Sequence, residues 1–402
     1  MIKRVPGLDV KSSREPVTAA DRAPEYVRAI APYVGGKPIE EVARELSLDP
    51  ATIVKLASNE NPRGPSPRAL AAIATAAAEI TRYPDGNGHA LKTALAAQLR
   101  VPPERIVLGN GSNDVLELAT HAFLRSGDHA VYSQYAFIVY PLATQARGAL
   151  GIEVPASDYG HDLDAMRAAI TPKTRIVFVA NPNNPTGTWL AGPVVEAFIE
   201  SVPRDVLVVL DEAYNEFLEP SEQSDSIAWT ARYPNLIVSR TFSKAHGLAA
   251  LRVGYGVMNE ELADLMNRVR QPFNVNALAQ AAAIAALADA EYVAKSRQQN
   301  RAGMRELEAG LARLGIRYLP SRGNFVLIDV GDAAAVNRSL LAQGVIVRPV
   351  AVRYCSSVTP CSCNRLTRSS MRDCISALTM ASGTSSSINL ASSTVVRMRT
   401  AI

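Results

Sequence analysis

The amino-acid sequence predicts an α/β protein with a large domain on a mainly parallel central sheet and a smaller α+β C-terminal domain. Several predicted strands are unbroken apolar runs, such as "RIVFVA" (175–180), which is typical of a sheet buried on both faces. Helical stretches lie between most of them, the order expected for parallel strands. A long helical stretch (276–315) then precedes two more predicted strands, "NFVLIDV" (324–330) and "VIVRPV" (345–350), which indicate the second domain.

The elements of the large domain can be predicted in chain order. A short helix is expected near "PIEEVARELS" (38–47), and "PSPRALAAIATAAAEI" (65–80) is a Pro-started, Ala-rich helix. The stretch "ERIVLGNGSNDVLELATHAFL" (104–124) predicts a strand, a glycine turn and a helix that Ser112 or Asn113 can cap. Further strands are predicted at 129–133, 175–180, 206–214, 235–241 and 253–258.

Composition divides the chain into four parts. An N-terminal arm (1–50) precedes the large domain (51–280) and the small domain (281–351), and a tail follows from Val352. The tail (352–402) has 12 Ser, 6 Thr and 6 Arg but no Lys or Glu, and it contains all four cysteines. We expect it to be poorly ordered, since "TSSSINLASST" has neither helical nor strand periodicity. A basic tail that binds an acidic partner is the functional alternative.

The overall composition is that of a soluble globular enzyme, which we expect in the cytoplasm. The 402 residues are 48% hydrophobic and 20% charged, and the net charge of +4 is too small to indicate nucleic-acid binding. No apolar run reaches the roughly 20 residues of a membrane span, and the N-terminus has no secretory apolar region. Cys361-Ser-Cys363 lacks the spacing of a zinc site, so no metal is expected.

Polar groups follow four predicted strands, at the edge where α/β sheets bind ligands. "LGNGSND" (108–114) has the glycines and helix start that suit a phosphate, although a plain tight turn is the simpler interpretation. "NPNNPTG" (181–187) contains Asn184 and also fits an ordinary turn. "VLVVLDEAY" ends in Asp211, Glu212 and Tyr214, and a carboxylate buried there is costly without a partner. "SRTFSK" ends in Lys244, which alone would be taken for a surface residue.

One ligand, pyridoxal 5′-phosphate, would use all four sites. It needs a lysine for a Schiff base, a carboxylate at its ring nitrogen and a phosphate cradle. Lys244 supplies the amine and Asp211 the carboxylate. Asn184 and Tyr214 are candidates for the phenolic oxygen. The phosphate could be held by the following groups: the backbone of Gly111, Ser112 and Asn113, the hydroxyls of Thr241 and Ser243, and Arg252.

The motifs resemble those of fold-type I pyridoxal-phosphate aminotransferases of class I/II, and in particular the histidinol-phosphate aminotransferase family. The order "NPNNPTG", "DEAY", "SRTFSKAHGLAALRVGY" carries the resemblance, together with "KLASNENPRGPSP" (55–67) and "RYPDGNGHALKTALA" (82–96). "SQYAFIVYPLA" (133–143) and "GNFVLIDV" (323–330) are similar too, so the resemblance covers roughly residues 25–351.

The resemblance implies further roles. Tyr135 would stack on the cofactor ring, and Tyr83 would reach the cofactor phosphate of a neighbouring subunit, which makes the enzyme a homodimer with shared sites. Asn59, Asn324 and Arg348 would bind substrate. The family's second C-terminal arginine lies on an "LRITVGT"-like strand that has no match after Val352. We therefore favour an altered reading frame as the origin of the tail, which resequencing of the coding DNA would test.

The implied reaction is the transfer of an amino group from L-histidinol phosphate to 2-oxoglutarate, in histidine biosynthesis. Lys244 would move the proton, and Asp211 would keep the ring nitrogen protonated. An aromatic amino-acid aminotransferase is the nearest alternative. A decarboxylase of phosphate-bearing amino acids and a non-catalytic pyridoxal-phosphate sensor domain are the others, and neither nucleic acid nor membrane is an expected partner.

Overall fold

The computed structural model describes residues 18–33 and 35–350, together with the backbone of a strand at 395–399. Thirteen α-helices lie in these ranges: α1 (Glu25–Arg28), α2 (Ile39–Leu46), α3 (Pro67–Ala76), α4 (His89–Leu99), α5 (Ser112–Phe123), α6 (Val139–Ala146), α7 (Leu163–Ala168), α8 (Gly192–Ser201), α9 (Ser226–Arg232), α10 (Glu260–Val269), α11 (Ala277–Leu287), α12 (Ala290–Arg313) and α13 (Ala333–Ala342).

The same ranges contain thirteen strands: β1 (Val54–Lys55), β2 (Ile106–Gly109), β3 (His129–Ser133), β4 (Leu150–Val154), β5 (Thr174–Ala180), β6 (Leu207–Asp211), β7 (Leu236–Thr241), β8 (Gly254–Val257), β9 (Arg317–Leu319), β10 (Phe325–Asp329), β11 (Val345–Ile346), β12 (Arg348–Val350) and β13 (Val395–Arg399).

A seven-stranded sheet forms the centre of the large part, in the order β2-β8-β7-β6-β5-β3-β4. Only β8 runs antiparallel to its neighbours, so the predicted mainly parallel sheet is confirmed. Neighbouring residues belong to apolar clusters on opposite faces, as Val208 and Val209 do. Helices cover both faces, which explains why these strands are continuous apolar runs rather than alternating ones.

Two predicted elements have different limits in the structure. The strand predicted at 206–214 ends at Asp211, so Glu212 and Tyr214 lie in the turn beyond it. The helical stretch at 276–315 is two helices, α11 and α12, which meet at 82°. Asp289 caps the second helix by accepting a hydrogen bond from the backbone N–H of Tyr292. No proline or glycine marks this break in the sequence, so periodicity alone could not locate it.

The smaller part is built on a four-stranded sheet, in the order β12-β13-β10-β9. The strand β13 comes from the tail and runs parallel to both β10 and β12. The backbone of 395–399 completes hydrogen-bond ladders that β10 and β12 leave open on facing edges, while the predicted poor order of the tail as a whole stays a prediction. The rest of the tail lies outside the described residues.

The predicted domain boundaries remain predictions, although one pairing crosses them. β1, which belongs to the stretch assigned to the large domain, pairs in parallel with β11 of the small domain. Val42 and Ala43 of α2 pack with Ile346 in the same small apolar cluster. The arm and the start of the large domain are therefore tied to the small domain by both hydrogen bonds and apolar contacts.

Neither a membrane span nor a metal cluster is found in the described part of the chain. None of its helices is by itself both long enough and apolar enough to cross a bilayer, and only the bent pair α11 and α12 has the required length and composition jointly. No group of three or more His, Cys, Asp or Glu side chains is placed to hold a metal ion in residues 18–33 and 35–350.

Candidate active site

The predicted polar groups meet at one edge of the central sheet. The parallel strands β5, β6 and β7 end there, at Ala180, Asp211 and Thr241. Gly254, the first residue of β8, lies between Gly109 and Thr241, so the end of β2 is at the same edge. The topology thus brings together four segments separated by up to about a third of the chain, as expected for α/β sheets.

Asp211 is a buried carboxylate with two hydrogen-bond donors. The residue as a whole is only 5% exposed to solvent. One carboxylate oxygen accepts a hydrogen bond from the Tyr140 hydroxyl at 2.8 Å, and the other accepts one from the backbone N–H of Ala213 at 3.2 Å. Burial raises the pKa of Asp211 to about 6, and these two bonds together with the positive charge of Lys244 oppose the rise.

Glu212 has a different partner, although it directly follows Asp211. Its Oε2 accepts hydrogen bonds from Nε and Nη2 of Arg240 at 2.9 and 2.7 Å. Arg240 lies on β7, and both side chains of this ion pair are largely buried. The pair neutralises one of the two adjacent carboxylates, so the structure leaves Asp211 as the acidic group of the site.

Lys244 is half-buried just beyond β7. Its Nζ donates a hydrogen bond to the carbonyl oxygen of Ser58 at 3.1 Å and lies 5.8 Å from the centre of the Tyr214 ring. Its charge also acts on the pKa of Asp211, which places the two groups in one electrostatic environment. The predicted amine and carboxylate therefore share this site.

Four side chains, three amides and one phenol, form a buried polar cluster beside Lys244. The Tyr214 hydroxyl accepts hydrogen bonds from Nδ2 of Asn59 at 2.7 Å and from Nδ2 of Asn184 at 3.1 Å. Asn324 donates to the carbonyl oxygen of Asn59 at 3.1 Å. The Oδ1 atoms of Asn184 and Asn324 are buried, and neither has a hydrogen-bond partner within the described residues. Because buried polar atoms are rarely left unsatisfied, these two oxygens suit a bound polar ligand.

The turn between β2 and α5 forms an anion-binding cradle. Gly111 has a φ of 83° and directly precedes α5, whose N-terminus has no side-chain cap. The expectation that Ser112 or Asn113 caps this helix is therefore wrong: Ser112 is already helical, and Asn113 follows it in the first turn. Uncapped N–H groups at a helix N-terminus favour an anion.

Arg252 supplies a positive charge to the same cradle. Its Nη1 donates to the Ser243 hydroxyl at 3.1 Å, and its guanidinium lies so close to Gly111 that a Cβ at this position would overlap it. Thr241 Oγ1 accepts a hydrogen bond from the backbone N–H of Ser243 at 3.1 Å. The predicted phosphate-binding groups are thus contiguous, and together they could hold a dianion.

Three of the predicted residues have other surroundings. The ring of Tyr135 lies 5.4 Å from that of Tyr159. Tyr83 is 83% exposed, and its ring stacks on Phe273 with centroids 4.8 Å apart. The guanidinium of Arg348 lies 4.9 Å above the ring of Tyr33. The roles that the resemblance implies for these three residues stay predictions.

The sequence analysis missed Tyr140 and the carbonyl oxygen of Ser58. Tyr140 is 71 residues from Asp211, and Ser58 is 186 residues from Lys244. Both lie inside segments that resemble the family, "SQYAFIVYPLA" and "KLASNENPRGPSP", but nothing local in those segments indicates such contacts. Each contact joins segments that are far apart in the chain, so it can be recognised only once the fold brings those segments together.

Comparisons with known proteins show which family the chain resembles over most of its length. A family model described as "Aminotransferase class I and II" matches residues 51–381. The histidinol-phosphate aminotransferase 2 of Ralstonia nicotianae is 62% identical over 331 residues, which cover 81% of this chain and 88% of that protein. The histidinol-phosphate aminotransferase of Methylobacillus flagellatus is 60% identical, with 82% and 90% covered.

A solved structure is similar over the same extent. The crystal structure of histidinol-phosphate aminotransferase from Sinorhizobium meliloti in complex with pyridoxal-5′-phosphate has a TM-score of 0.74 and 31% sequence identity. The similarity covers 81% of this chain and 88% of that one.

Proposed function

The chain belongs to the class I and II aminotransferase family, and from this premise we propose that it transfers the amino group of L-histidinol phosphate to 2-oxoglutarate in histidine biosynthesis. The observation that carries the proposal is the identity of 60 to 62% with histidinol-phosphate aminotransferases over more than four-fifths of the chain. The resemblance predicted from the motifs, the fold type and the class of enzyme are confirmed.

The residues of the site fit pyridoxal 5′-phosphate, the cofactor of this family and of the Sinorhizobium meliloti structure. The ring nitrogen requires a buried carboxylate, and Asp211 is one. The phenolic oxygen requires polar partners near a lysine, which Asn184 and Tyr214 provide. The phosphate requires amide and cationic donors, which the Gly111 turn and Arg252 provide.

When bound, pyridoxal 5′-phosphate supplies an aldehyde that reacts with amines and an electron-accepting ring. With the cofactor bound, Lys244 would be the base that takes the proton from the substrate Cα and holds it on its amine for return. Asp211, as an anion, holds the proton on the ring nitrogen and so favours release of electrons from Cα. The side chains of Arg252, Ser243 and Thr241 anchor the phosphate, which fixes the distance between Lys244 and the reacting carbon.

We further propose a cytoplasmic homodimer in which Tyr83 completes the site of the neighbouring subunit. The support is the position of Tyr83, which is exposed beside a second exposed aromatic residue, Phe273, rather than buried in the site of its own chain. Asn59, Asn324 and Arg348 are proposed as substrate contacts. The unpaired Oδ1 of Asn324 is the observation that supports this role most directly.

A comparison of kcat/KM for two amino donors tests the proposal. Protein loaded with pyridoxal 5′-phosphate is assayed with 2-oxoglutarate and either L-histidinol phosphate or phenylalanine. We expect kcat/KM to be at least about 100-fold higher for L-histidinol phosphate, because a site built for a polar substrate group discriminates strongly against an analogue that lacks it. Lys244→Ala, the control, should not turn over either substrate.

Three other outcomes would contradict it, each in a distinct way. A preference for phenylalanine would identify an aromatic amino-acid aminotransferase. Release of carbon dioxide from an amino donor that carries an α-carboxylate, which L-histidinol phosphate lacks, would identify a decarboxylase. Visible absorbance of the bound cofactor without turnover of any amino donor would identify a non-catalytic sensor domain.

A further inference from the structure

Among the hydrogen bonds of the site, one side chain donates to the Asp211 carboxylate, and the donor is the hydroxyl of Tyr140. The two oxygens of the carboxylate are held separately, by Tyr140 at 2.8 Å and by the backbone N–H of Ala213 at 3.2 Å. The Ala213 bond comes from the same turn as Asp211, so it moves with the carboxylate. Tyr140 is the donor that ties the carboxylate to a different element, the first turn of α6.

The Tyr140 ring is held rigidly by aromatic neighbours. Tyr140 is completely buried. Its ring stacks on Phe178 of β5, with centroids 4.6 Å apart and planes 5° from parallel, and Phe137 contacts it edge-on at 5.9 Å. A buried ring between two aromatic rings keeps one orientation, so its hydroxyl is aimed permanently at Asp211.

The charges around this pair make Tyr140 the donor and Asp211 the anion. Burial, followed by the charge of Asp211, raises the pKa of Tyr140 well above its usual value, so the phenol keeps its proton. Burial and the neighbouring Glu212 charge favour the neutral form of Asp211, whereas Tyr140, Ala213 and Lys244 favour the anion. Tyr214 also acts on Tyr140 from the turn beyond β6. The balance for Asp211 is close, and one hydrogen bond to a charged group is large enough to decide it.

We infer that Tyr140 is a positioning residue that keeps Asp211 anionic and directed at the ring nitrogen of the cofactor. The inference rests on the proposed function, since it acts through the role of Asp211 in binding pyridoxal 5′-phosphate. Tyr140 itself touches neither cofactor nor substrate in this arrangement. Its contribution is to hold Asp211, the acid that would contact the ring nitrogen of the cofactor.

The test is the pH dependence of Tyr140→Phe, a change that removes the hydroxyl and keeps the stacked ring. Loss of a donor to the charged form favours neutral Asp211, so the acidic limb of the kcat profile should move to higher pH by about one unit. The visible absorbance of the bound cofactor should titrate with the same upward shift. At about pH 6 we expect kcat roughly fivefold below that of the unmodified enzyme, with the difference approaching tenfold at lower pH and vanishing at higher pH.

Tyr233→Phe is the matched control. Tyr233 is a buried tyrosine whose hydroxyl donates to Glu196 at 3.3 Å, and neither residue belongs to the site. This variant should show neither shift. A Tyr140→Phe profile that overlays that of the unmodified enzyme, or that falls equally at every pH, would overturn the inference, since equal loss is the result of a purely structural role.

Replacement of Tyr140 by 3-fluorotyrosine covers the case in which Tyr140→Phe does not fold. The fluorinated phenol keeps the shape and is a stronger donor, so both the kinetic limb and the absorbance change should move to lower pH. A shift upward or none at all would contradict the inference. Asp211→Asn separates the two levels of the argument: if it retains full turnover, the proposed role of Asp211 fails and this inference with it, whereas loss of turnover combined with an unshifted Tyr140 variant overturns the inference alone.

Discussion

Asp211 and Glu212 show how the structure assigns different roles to adjacent residues of one type. Both are buried acids at the end of β6, and the sequence alone offers either as the functional carboxylate. Arg240 on β7 forms an ion pair with Glu212, while the Tyr140 hydroxyl reaches Asp211. The choice of Asp211 as the functional acid stays a prediction, and the groups that distinguish the two carboxylates come from distant segments.

The burial of Asp211 predicts a pH-dependent stability of the cofactor-free protein. The pKa is raised from 3.8 to about 6 on folding, so the folded state binds the proton more tightly than the unfolded chain. The contribution of this group to the free energy of unfolding is therefore greatest below the unfolded pKa and is lost as pH rises through about 6. Between about pH 5 and pH 8 the loss should be on the order of 1 to 1.5 kcal/mol.

Urea unfolding of the cofactor-free protein and of Asp211→Asn at a series of pH values measures this term. Asparagine has nearly the same shape and does not titrate, so the difference between the two free energies isolates Asp211. We expect the unmodified protein to lose stability relative to the variant as pH rises. A difference in the free energy of unfolding that stays constant across this pH range would show that folding does not raise the pKa of Asp211.

At the scale of elements, the turn between β2 and α5 is the part of the site that local sequence describes best. Strand, glycine turn and helix were all predicted in the right order, because apolar runs, glycines and helical periodicity are local signals. The missing cap was not foreseen, since Ser112 and Asn113 are good capping residues in isolation. In the structure Gly111 occupies the N-cap position, so Ser112 and Asn113 fall within the first turn of α5, where they do not cap it.

Gly111→Ala should weaken the binding of pyridoxal 5′-phosphate. The added methyl would displace the Arg252 guanidinium from the cradle, and loss of one charged hydrogen bond to the phosphate corresponds to an increase in Kd of about tenfold or more. Gly127→Ala is the control, because Gly127 has a similar φ of 85° but open space around the position of a Cβ. Titration of the cofactor-free variants with pyridoxal 5′-phosphate measures both, and an equal loss of affinity in the two would trace the effect to backbone strain.

At the scale of the whole molecule, the exposure of Tyr83 connects the single chain to the proposed dimer. A tyrosine that is 83% exposed and stacked on another exposed ring is unusual on a monomer surface and typical of an interface. In the proposed dimer each site takes Lys244 from one subunit and Tyr83 from the other. This arrangement can be tested by mixing subunits.

Mixed dimers of Lys244→Ala and Tyr83→Ala subunits should regain activity that neither variant has alone. Each mixed dimer contains one intact site and one doubly altered site, so random pairing restores roughly a quarter of full activity. Lys244→Ala mixed with Asp211→Asn is the control, because both residues come from the same subunit and every site in that mixture keeps one lesion. The assay is transamination activity per subunit after the subunits have exchanged. Recovery of activity in the control mixture, or no recovery in the test mixture, would contradict a shared site.

The sequence by itself determined the main strands of the central sheet and the helices between them, because periodicity and turn residues are local properties of the chain. Its motifs identified the family and hence the cofactor, whereas the residues assigned to bind that cofactor stay predictions. The tertiary structure alone decided which carboxylate forms the ion pair with Arg240, that the Tyr140 hydroxyl donates to the other one, and that α11 and α12 are separate helices. These outcomes depend on contacts between segments as far apart as 186 residues, and such contacts follow from packing rather than from any short stretch of sequence.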